Sequence, residues 1–286
     1  MNARPNSGRR LGPAGAGREI AFELNGRQFT FRTPLPGDPS IQSVFLVGLP
    51  KAGSTLLNRM MRPITAAAGL SFVGLQETMF SMGVAPQEIP AAVNAAFAPA
   101  GYVFGAFRSL PGGFELPAYA AGRTILLVRD PRDMLTSLYF SLARSHRPPG
   151  KAVGGEMAAT FEERRREISS MSIDAFALAR AVVVLDQYAT VAAKLTAISH
   201  RLYRYEDVIF DKLSWARDMV AYLGLTVPAA VLENAADAND LRPAVEDPGQ
   251  HVRKVVPGDH REKLRTETIA ELNARFEPLL RQYRYL

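Results

Sequence analysis

The sequence predicts an α/β fold with a mainly parallel central sheet flanked by helices. Two segments carry this prediction, because each joins a short apolar run to a helix through a loop. Val44–Val47 is the first run, and an amphipathic helix from about Ser54 follows it. Ile125–Val128 is the second, and Asp130 and Pro131 suit the start of the helix after it. Alternating strands and helices are typical of parallel sheets.

The rest of the chain continues this alternation. Tyr102–Phe107 and the region around Arg201–Tyr205 predict two further strands. Further helices are predicted at about 156–170 and 173–196, from about Leu213 to Gly224, and from near Thr268, which has the capping-box spacing to Glu271.

The first 40 residues are expected to lie outside the main domain. They comprise a disordered basic tail, a small β-hairpin and a linker rich in proline. The hairpin pairs Ile20–Leu24 with Gln28–Phe31 about Asn25-Gly26, a dipeptide that favours a tight turn. Residues 41–286 then form a single domain.

Composition excludes several classes of protein. The 286 residues are 47% hydrophobic and 22% charged, which excludes wholesale disorder, collagen and coiled-coil arrays. There is no cysteine, and hence no thiolate metal site or cysteine nucleophile. The four histidines show no metal-binding spacing, so no metal is expected.

Charge and hydropathy predict a cytoplasmic protein with a small anionic ligand. The net charge is +6, but four arginines without an acid lie in residues 1–18, which leaves only +2 for the body. That distribution argues against a nucleic-acid partner. No window approaches the roughly 20 apolar residues of a membrane span, so none is expected.

A glycine-containing loop, Gly48–Thr55, lies between the first buried strand and its helix. Backbone N–H groups and a helix N-terminus point at an anion in such a loop. The spacing is that of a P-loop and predicts a three-layer P-loop-type fold, but Ser54 replaces the lysine of nucleotide triphosphatases. Since Lys51 lies inside the loop instead, a ligand other than a nucleoside triphosphate is indicated. The plain alternative is a strand–helix turn without a ligand.

Two motifs together resemble the PAPS-dependent sulfotransferases, whose donor is 3′-phosphoadenosine 5′-phosphosulfate (PAPS). Pro50–Thr55 resembles their 5′-phosphosulfate loop, and Arg129–Ser137 resembles their 3′-phosphate motif. An arginine at a strand end and a hydroxyl two turns into the next helix can hold one phosphate from two sides. Open α/β sheets bind ligands at this edge.

Weaker similarities extend the resemblance from about Ile41 to Leu286. Tyr205 stands in a segment that resembles the family's Tyr-Glu-Asp near the adenine. Arg253 and Lys254 resemble the loop that closes over the 3′-phosphate, with Val255 where the family has glycine.

The resemblance implies transfer of a sulfuryl group from PAPS to a hydroxyl or amine of a small-molecule acceptor, without a metal. Lys51 would stabilise negative charge at the leaving phosphate. The implied donor-binding residues are Pro50, Lys51, Ala52, Gly53, Ser54, Thr55, Arg129, Ser137, Tyr205, Arg253 and Lys254.

The general base is expected to be Glu77. Many soluble sulfotransferases place a histidine in a segment that corresponds here to Phe107–Pro111, which has none. In this respect the chain is nearer to the branches with a glutamate about one helix after the loop, and Glu77 fits that position. A surface helix cap is the alternative for Glu77, and His146 and His251 are the reserve candidates for the base.

Two other functions remain open from the sequence: a P-loop small-molecule kinase, and a catalytically degenerate module that binds 3′-phosphoadenosine 5′-phosphate (PAP). The segments 85–104 and 147–168 are expected to line the acceptor pocket. The first is mostly apolar, which favours a partly hydrophobic acceptor, although core packing gives the same composition.

Overall fold

A computed structural model describes residues 17–85, 88–111, 113–145, 155–241, 246–247 and 253–286, with the backbone alone at 145 and 155–160. Its strands are β1 (Glu19–Leu24), β2 (Arg27–Arg32), β3 (Val44–Gly48), β4 (Ser71–Val73), β5 (Tyr102–Phe107), β6 (Thr124–Val128) and β7 (His200–Arg204). Its helices are α1 (Ser54–Ala67), α2 (Leu75–Ser81), α3 (Pro131–Phe140), α4 (Gly155–Ser170), α5 (Ile173–Leu195), α6 (Tyr205–Val208), α7 (Lys212–Tyr222), α8 (Ala229–Ala238), α9 (His260–Lys263) and α10 (Thr266–Gln282).

Five strands form a parallel sheet in the order β4-β5-β3-β6-β7. Every residue of β3, β5 and β6 is buried, as expected for strands covered on both faces. Phe45 and Val47 point into the core beneath α3, α5 and α10, while Val44 and Leu46 point into the core beneath α1, α7 and α8. The predicted α/β fold with a parallel sheet is confirmed.

The N-terminal hairpin packs onto the larger domain. β1 and β2 pair antiparallel, and both Asn25 (φ 52°) and Gly26 (φ 73°) adopt the positive φ that the tight turn requires. Phe22 and Phe29 stack with ring centroids 5.3 Å apart and lie in the core that also covers the sheet. The hairpin and the sheet therefore share one hydrophobic core. The tail expected at residues 1–16 lies outside the described residues.

The start of the last helix differs from the prediction. α10 begins at Thr266, and Arg265 occupies the N-cap position, so the predicted capping box at Thr268 is wrong. Thr268 is buried and hydrogen bonds to Asp174 of α5 instead. Neither β4 nor α8 was predicted from the sequence, and β4, with three residues, is too short to show a periodic pattern.

Among the described residues, α5 bears on the expectation that the chain has no membrane span, which stays a prediction because core helices of soluble proteins can be equally apolar. This helix has 23 residues, and an 18-residue window within it has a mean hydropathy of 1.4, so it is long and apolar enough to cross a membrane by length and composition alone. About 33% of its most apolar window is buried. It packs against α3 and α10, and Val182 and Val183 are exposed on it.

Candidate anion-binding site

The carboxyl ends of four neighbouring strands meet at one edge of the sheet. Arg108 follows β5, the loop 49–53 follows β3, Arg129 follows β6, and Tyr205 follows β7. Because all of these strands are parallel, the four segments lie side by side, where open α/β sheets bind ligands. They border a cavity of about 300 Å³.

The loop before α1 turns sharply through two residues with positive φ. Lys51 adopts a φ of 65° and Gly53 a φ of 102°, and the N–H of Ala52 between them donates to the carbonyl oxygen of Leu49 at 3.0 Å, which closes a tight turn. A Cβ atom at Gly53 would approach Tyr205 Cδ2 to 3.1 Å and Leu127 Cδ2 to 3.3 Å, so this position requires glycine on both grounds. Ser54 begins a helix of 14 residues, whose free N-terminal N–H groups favour a bound anion.

Arg129 is buried at the end of β6 and is held by three groups. Its Nη1 donates to the carbonyl oxygen of Lys51 at 3.2 Å, its Nη2 lies 3.7 Å from Asp133 Oδ2, and its guanidinium stacks on the Tyr205 ring at 4.4 Å. Its Nε is buried without a hydrogen-bond partner among the residues that the structure describes. An unpartnered buried donor of this kind is costly unless a ligand accepts from it.

Lys51 lies among positive charges. Its burial and the charges of Arg129, Arg108 and Arg253 lower the pKa of the Lys51 ammonium to about 8. A bound anion would offset this repulsion and raise the pKa of Lys51 again, so the charges of the cavity favour an anionic ligand.

The C-terminal loop supplies the far wall of the cavity. The Arg253 guanidinium stacks on Phe140 of α3 at 4.2 Å and forms ion pairs with Asp259 and Glu246. Lys254 Nζ lies 3.2 Å from Asp259 and 2.6 Å from Glu262. Both cations line the cavity, and the carboxylates of these nearby residues hold them in place.

The structure brings the expected donor-binding residues together. The cavity lining contains each of them except Ala52, whose side chain is buried behind the loop. Their role in binding stays a prediction.

Glu77 lies outside the lining of this cavity. Its two carboxylate oxygens accept hydrogen bonds from Asn58 Nδ2 at 2.8 Å and from Arg62 Nη2 at 2.5 Å, both on α1. Its role as base stays a prediction. The reserve candidates His146 and His251 lie outside the described residues.

Sequence reasoning missed two cations of the lining, Arg108 and Arg59. Arg108 directly follows a buried strand, as Arg129 does, so the same rule could have found it. Arg59 lies one turn after Thr55 on α1. The sequence alone does not show that its side chain faces the cavity.

The lining as a whole suits a ligand with several negative charges. It contains six cationic side chains and, within the described part of the chain, no carboxylate. The cations are Lys51, Arg59, Arg108, Arg129, Arg253 and Lys254. In the same ranges no three histidine, aspartate or glutamate side chains group as a metal site.

No family model and no curated protein matches this chain. Mouse sulfotransferase SULT7A1, solved in complex with PAP, aligns over 92% of this chain and 95% of its own, with a TM-score of 0.53 at 14% identity. Two complexes of retinol dehydratase, with androsterone and with retinol, each also with PAP, align over 83% and 87% of this chain and 80% and 82% of theirs. Their TM-scores are 0.49 and 0.48, at 15% and 13% identity. The similarity to SULT7A1 shows that this chain has the same fold.

Proposed function

We propose that the protein is a sulfotransferase that moves the sulfuryl group of PAPS to a hydroxyl or amine of a small-molecule acceptor. The main support is that the cationic side chains of the cavity come from separate parts of the chain. Lys51 and Arg108 come from the phosphate loop and the end of β5, whereas Arg253 and Lys254 come from the C-terminal loop. A nucleotide with an anion at each end matches this arrangement, and the shared fold with a PAP-bound sulfotransferase supports it.

The phosphate loop would hold the 5′ end of the donor. The backbone amides of the loop and the hydroxyls of Ser54 and Thr55 would bind the 5′-phosphate. Arg129, with its unpartnered Nε, and Ser137 of α3 would hold the 3′-phosphate together with Arg253. Leu56, Ile209 and Leu241 give the same cavity apolar walls, which suit a planar base.

In the transfer step, the acceptor oxygen or nitrogen bonds to sulfur as the bond from sulfur to the bridging oxygen breaks. The electron pair of that bond goes to the 5′-phosphate of PAP. Lys51 would donate a hydrogen bond to the bridging oxygen as this charge develops, which lowers the barrier. The protein otherwise contributes mainly positioning.

The acceptor's proton would pass to Glu77. In the structure its carboxylate is paired with Arg62, and both side chains are nearly half exposed, at 43% and 49%. An exposed pair of this kind contributes only about 0–1 kcal/mol. Release toward an acceptor would also break the hydrogen bond from the buried Asn58 Nδ2, unless the oxygen that faces Arg62 takes the proton.

Calorimetry with PAP and ADP tests the donor site. We expect tighter binding of PAP, because only PAP carries the 3′-phosphate that Arg129, Ser137 and Arg253 would contact. Equal affinities for the two nucleotides would contradict the proposal.

Transfer of labelled sulfate tests the reaction. Incubation with labelled PAPS and a metabolite extract, without magnesium, should give a labelled product that identifies the acceptor. A P-loop kinase would instead need magnesium and ATP. A degenerate PAP-binding module would bind PAP but give no labelled product even in a single turnover.

A further inference from the structure

Arg108 is positioned by a buried side chain that has no other evident use. Its backbone N–H donates to Gln76 Oε1 at 2.6 Å, and Gln76 Nε2 donates to the carbonyl oxygen of Ser109 at 2.8 Å. Gln76 is 5% exposed. This double contact fixes the backbone just beyond β5, so that the Arg108 side chain extends across the neighbouring strand toward the phosphate loop.

The Arg108 guanidinium bonds to both hydroxyls of that loop. Nε donates to Ser54 Oγ at 3.1 Å, and Nη2 donates to Thr55 Oγ1 at 3.4 Å. A hydroxyl that accepts from a guanidinium keeps its own hydrogen as a donor. The contact therefore orients the hydrogens of Ser54 and Thr55 away from Arg108 and favours donation to an anion above the loop.

Arg108 also completes a symmetrical distribution of charge. β5 and β6 flank β3 on its two sides, and each ends in an arginine that reaches the β3 loop. Both arginines raise the positive potential at Lys51. Two of the five guanidinium N–H groups of Arg108 bind the hydroxyls, so three remain for a ligand.

We infer that Arg108 is a further residue of the donor site, which orients the Ser54 and Thr55 hydroxyls and contacts the 5′-phosphate on the side opposite Arg129. This inference rests on the proposed function. The two arginines would then have separate roles, since Arg108 would contact the 5′-phosphate of the nucleotide and Arg129 its 3′-phosphate.

The test compares three nucleotides in Arg108→Met, Arg129→Met and the parent. The ratio of dissociation constants for adenosine 3′-phosphate and PAP measures what the 5′-phosphate contributes. The ratio for adenosine 5′-phosphate and PAP measures what the 3′-phosphate contributes. In Arg108→Met we expect the ratio that reports the 5′-phosphate to fall roughly ten- to hundredfold, because a charge-assisted contact is lost. The ratio that reports the 3′-phosphate should stay within about threefold of the parent's. Arg129→Met should do the reverse.

Two further variants control the experiment. Arg217→Met removes one cation from α7, away from the cavity, and should leave both ratios unchanged. Arg108→Lys keeps the charge but cannot contact both hydroxyls at once. The ratio that reports the 5′-phosphate should therefore fall, but by less than in Arg108→Met. Arg108→Lys also serves as the test if Arg108→Met does not fold.

The outcomes separate the inference from the proposed function. A first ratio that Arg108→Met leaves unchanged, or an equal fall of both ratios, would overturn the role of Arg108 while the donor site stands. A parent that binds ADP as tightly as PAP would overturn the proposed function. The 5′-phosphate contribution would then be measured with adenosine 5′-phosphate against adenosine, and it would still support or contradict the role of Arg108.

Discussion

His260 donates two hydrogen bonds to the buried carboxylate of Asp133, one from its backbone nitrogen at 3.0 Å and one from its ring Nδ1 at 2.7 Å. The N–H of Gly258 donates to the same carboxylate at 2.7 Å. Because an ionised carboxylate only accepts, Nδ1 carries the proton of the histidine ring. The pair joins α3, which carries Ser137, to the loop that carries Arg253, and so it fixes one wall of the cavity.

Asp133→Asn should destabilise the protein. Asparagine has only one side-chain oxygen, and its NH₂ group would face N–H donors of Gly258 or His260 that now bond to the second carboxylate oxygen. Buried donors would then be left without an acceptor. We expect the free energy of unfolding in urea to fall by roughly 3–5 kcal/mol. Asp237→Asn, at an exposed position on α8, is the matched control and should have little effect. A loss as small as the control's would mean that this contact contributes little.

The same carboxylate should make stability depend on acid. Burial alone would raise the pKa of Asp133, but the hydrogen bonds from His260 and the charge of Arg129 outweigh burial and lower it from 3.8 to about 2. A lowered pKa gives stability that is present above the unfolded value and lost as pH falls toward the folded value. The advantage of the parent over Asp133→Asn should therefore shrink by roughly 2 kcal/mol between about pH 5 and pH 2. A difference that is constant over this range would contradict the assignment.

Arg129→Ala should weaken PAP binding and hardly change ADP binding. The variant removes a guanidinium whose Nε has no partner in the described residues and which would contact the 3′-phosphate. A lost charge-assisted contact costs roughly 1.5–3 kcal/mol, and calorimetry measures it directly. If both nucleotides lost affinity equally, Arg129 would act on the loop through the Lys51 carbonyl rather than on the ligand.

The affinity for PAP should fall as pH rises through about 8. Lys51 is protonated below this pKa, and an anion binds more tightly to the charged form. Above it, binding must first restore the proton, so calorimetry in buffers of different ionisation enthalpy should detect proton uptake. Lys51→Met should bind PAP more weakly at neutral pH and lack this inflection. Its persistence in the variant would assign the titration to another group.

Glu77→Gln should lower turnover by about 10²–10⁴-fold if Glu77 is the general base. Binding of PAP should change little, because the carboxylate lies outside the lining of the donor cavity. Stability should also change little, because the exposed pair with Arg62 contributes only about 0–1 kcal/mol and the glutamine oxygen can still accept from Asn58 Nδ2. Turnover within a few-fold of the parent would exclude Glu77, and His146 and His251 would be substituted next.

The sequence predicted the elements that depend on local pattern. Val44–Gly48 and Thr124–Val128 are continuous apolar runs, and Asp130 caps the helix after the second run through its own side chain. Since parallel strands end at the same edge, the sequence also indicated that the phosphate loop and Arg129 would lie close together. The positions of the apolar runs and of the cap residue were sufficient for these predictions, because they mark where each strand ends and the next helix begins.

The tertiary structure decided which side chains meet. Arg108 reaches Ser54 only because β5 lies beside β3 in the sheet, and Glu77 meets Arg62 only because α2 returns against α1. Likewise, Thr268 has the spacing of a helix cap, but packing against α5 gave it a different partner. Strand order and helix contacts are set by the burial of apolar faces far apart in the chain, which local periodicity does not record.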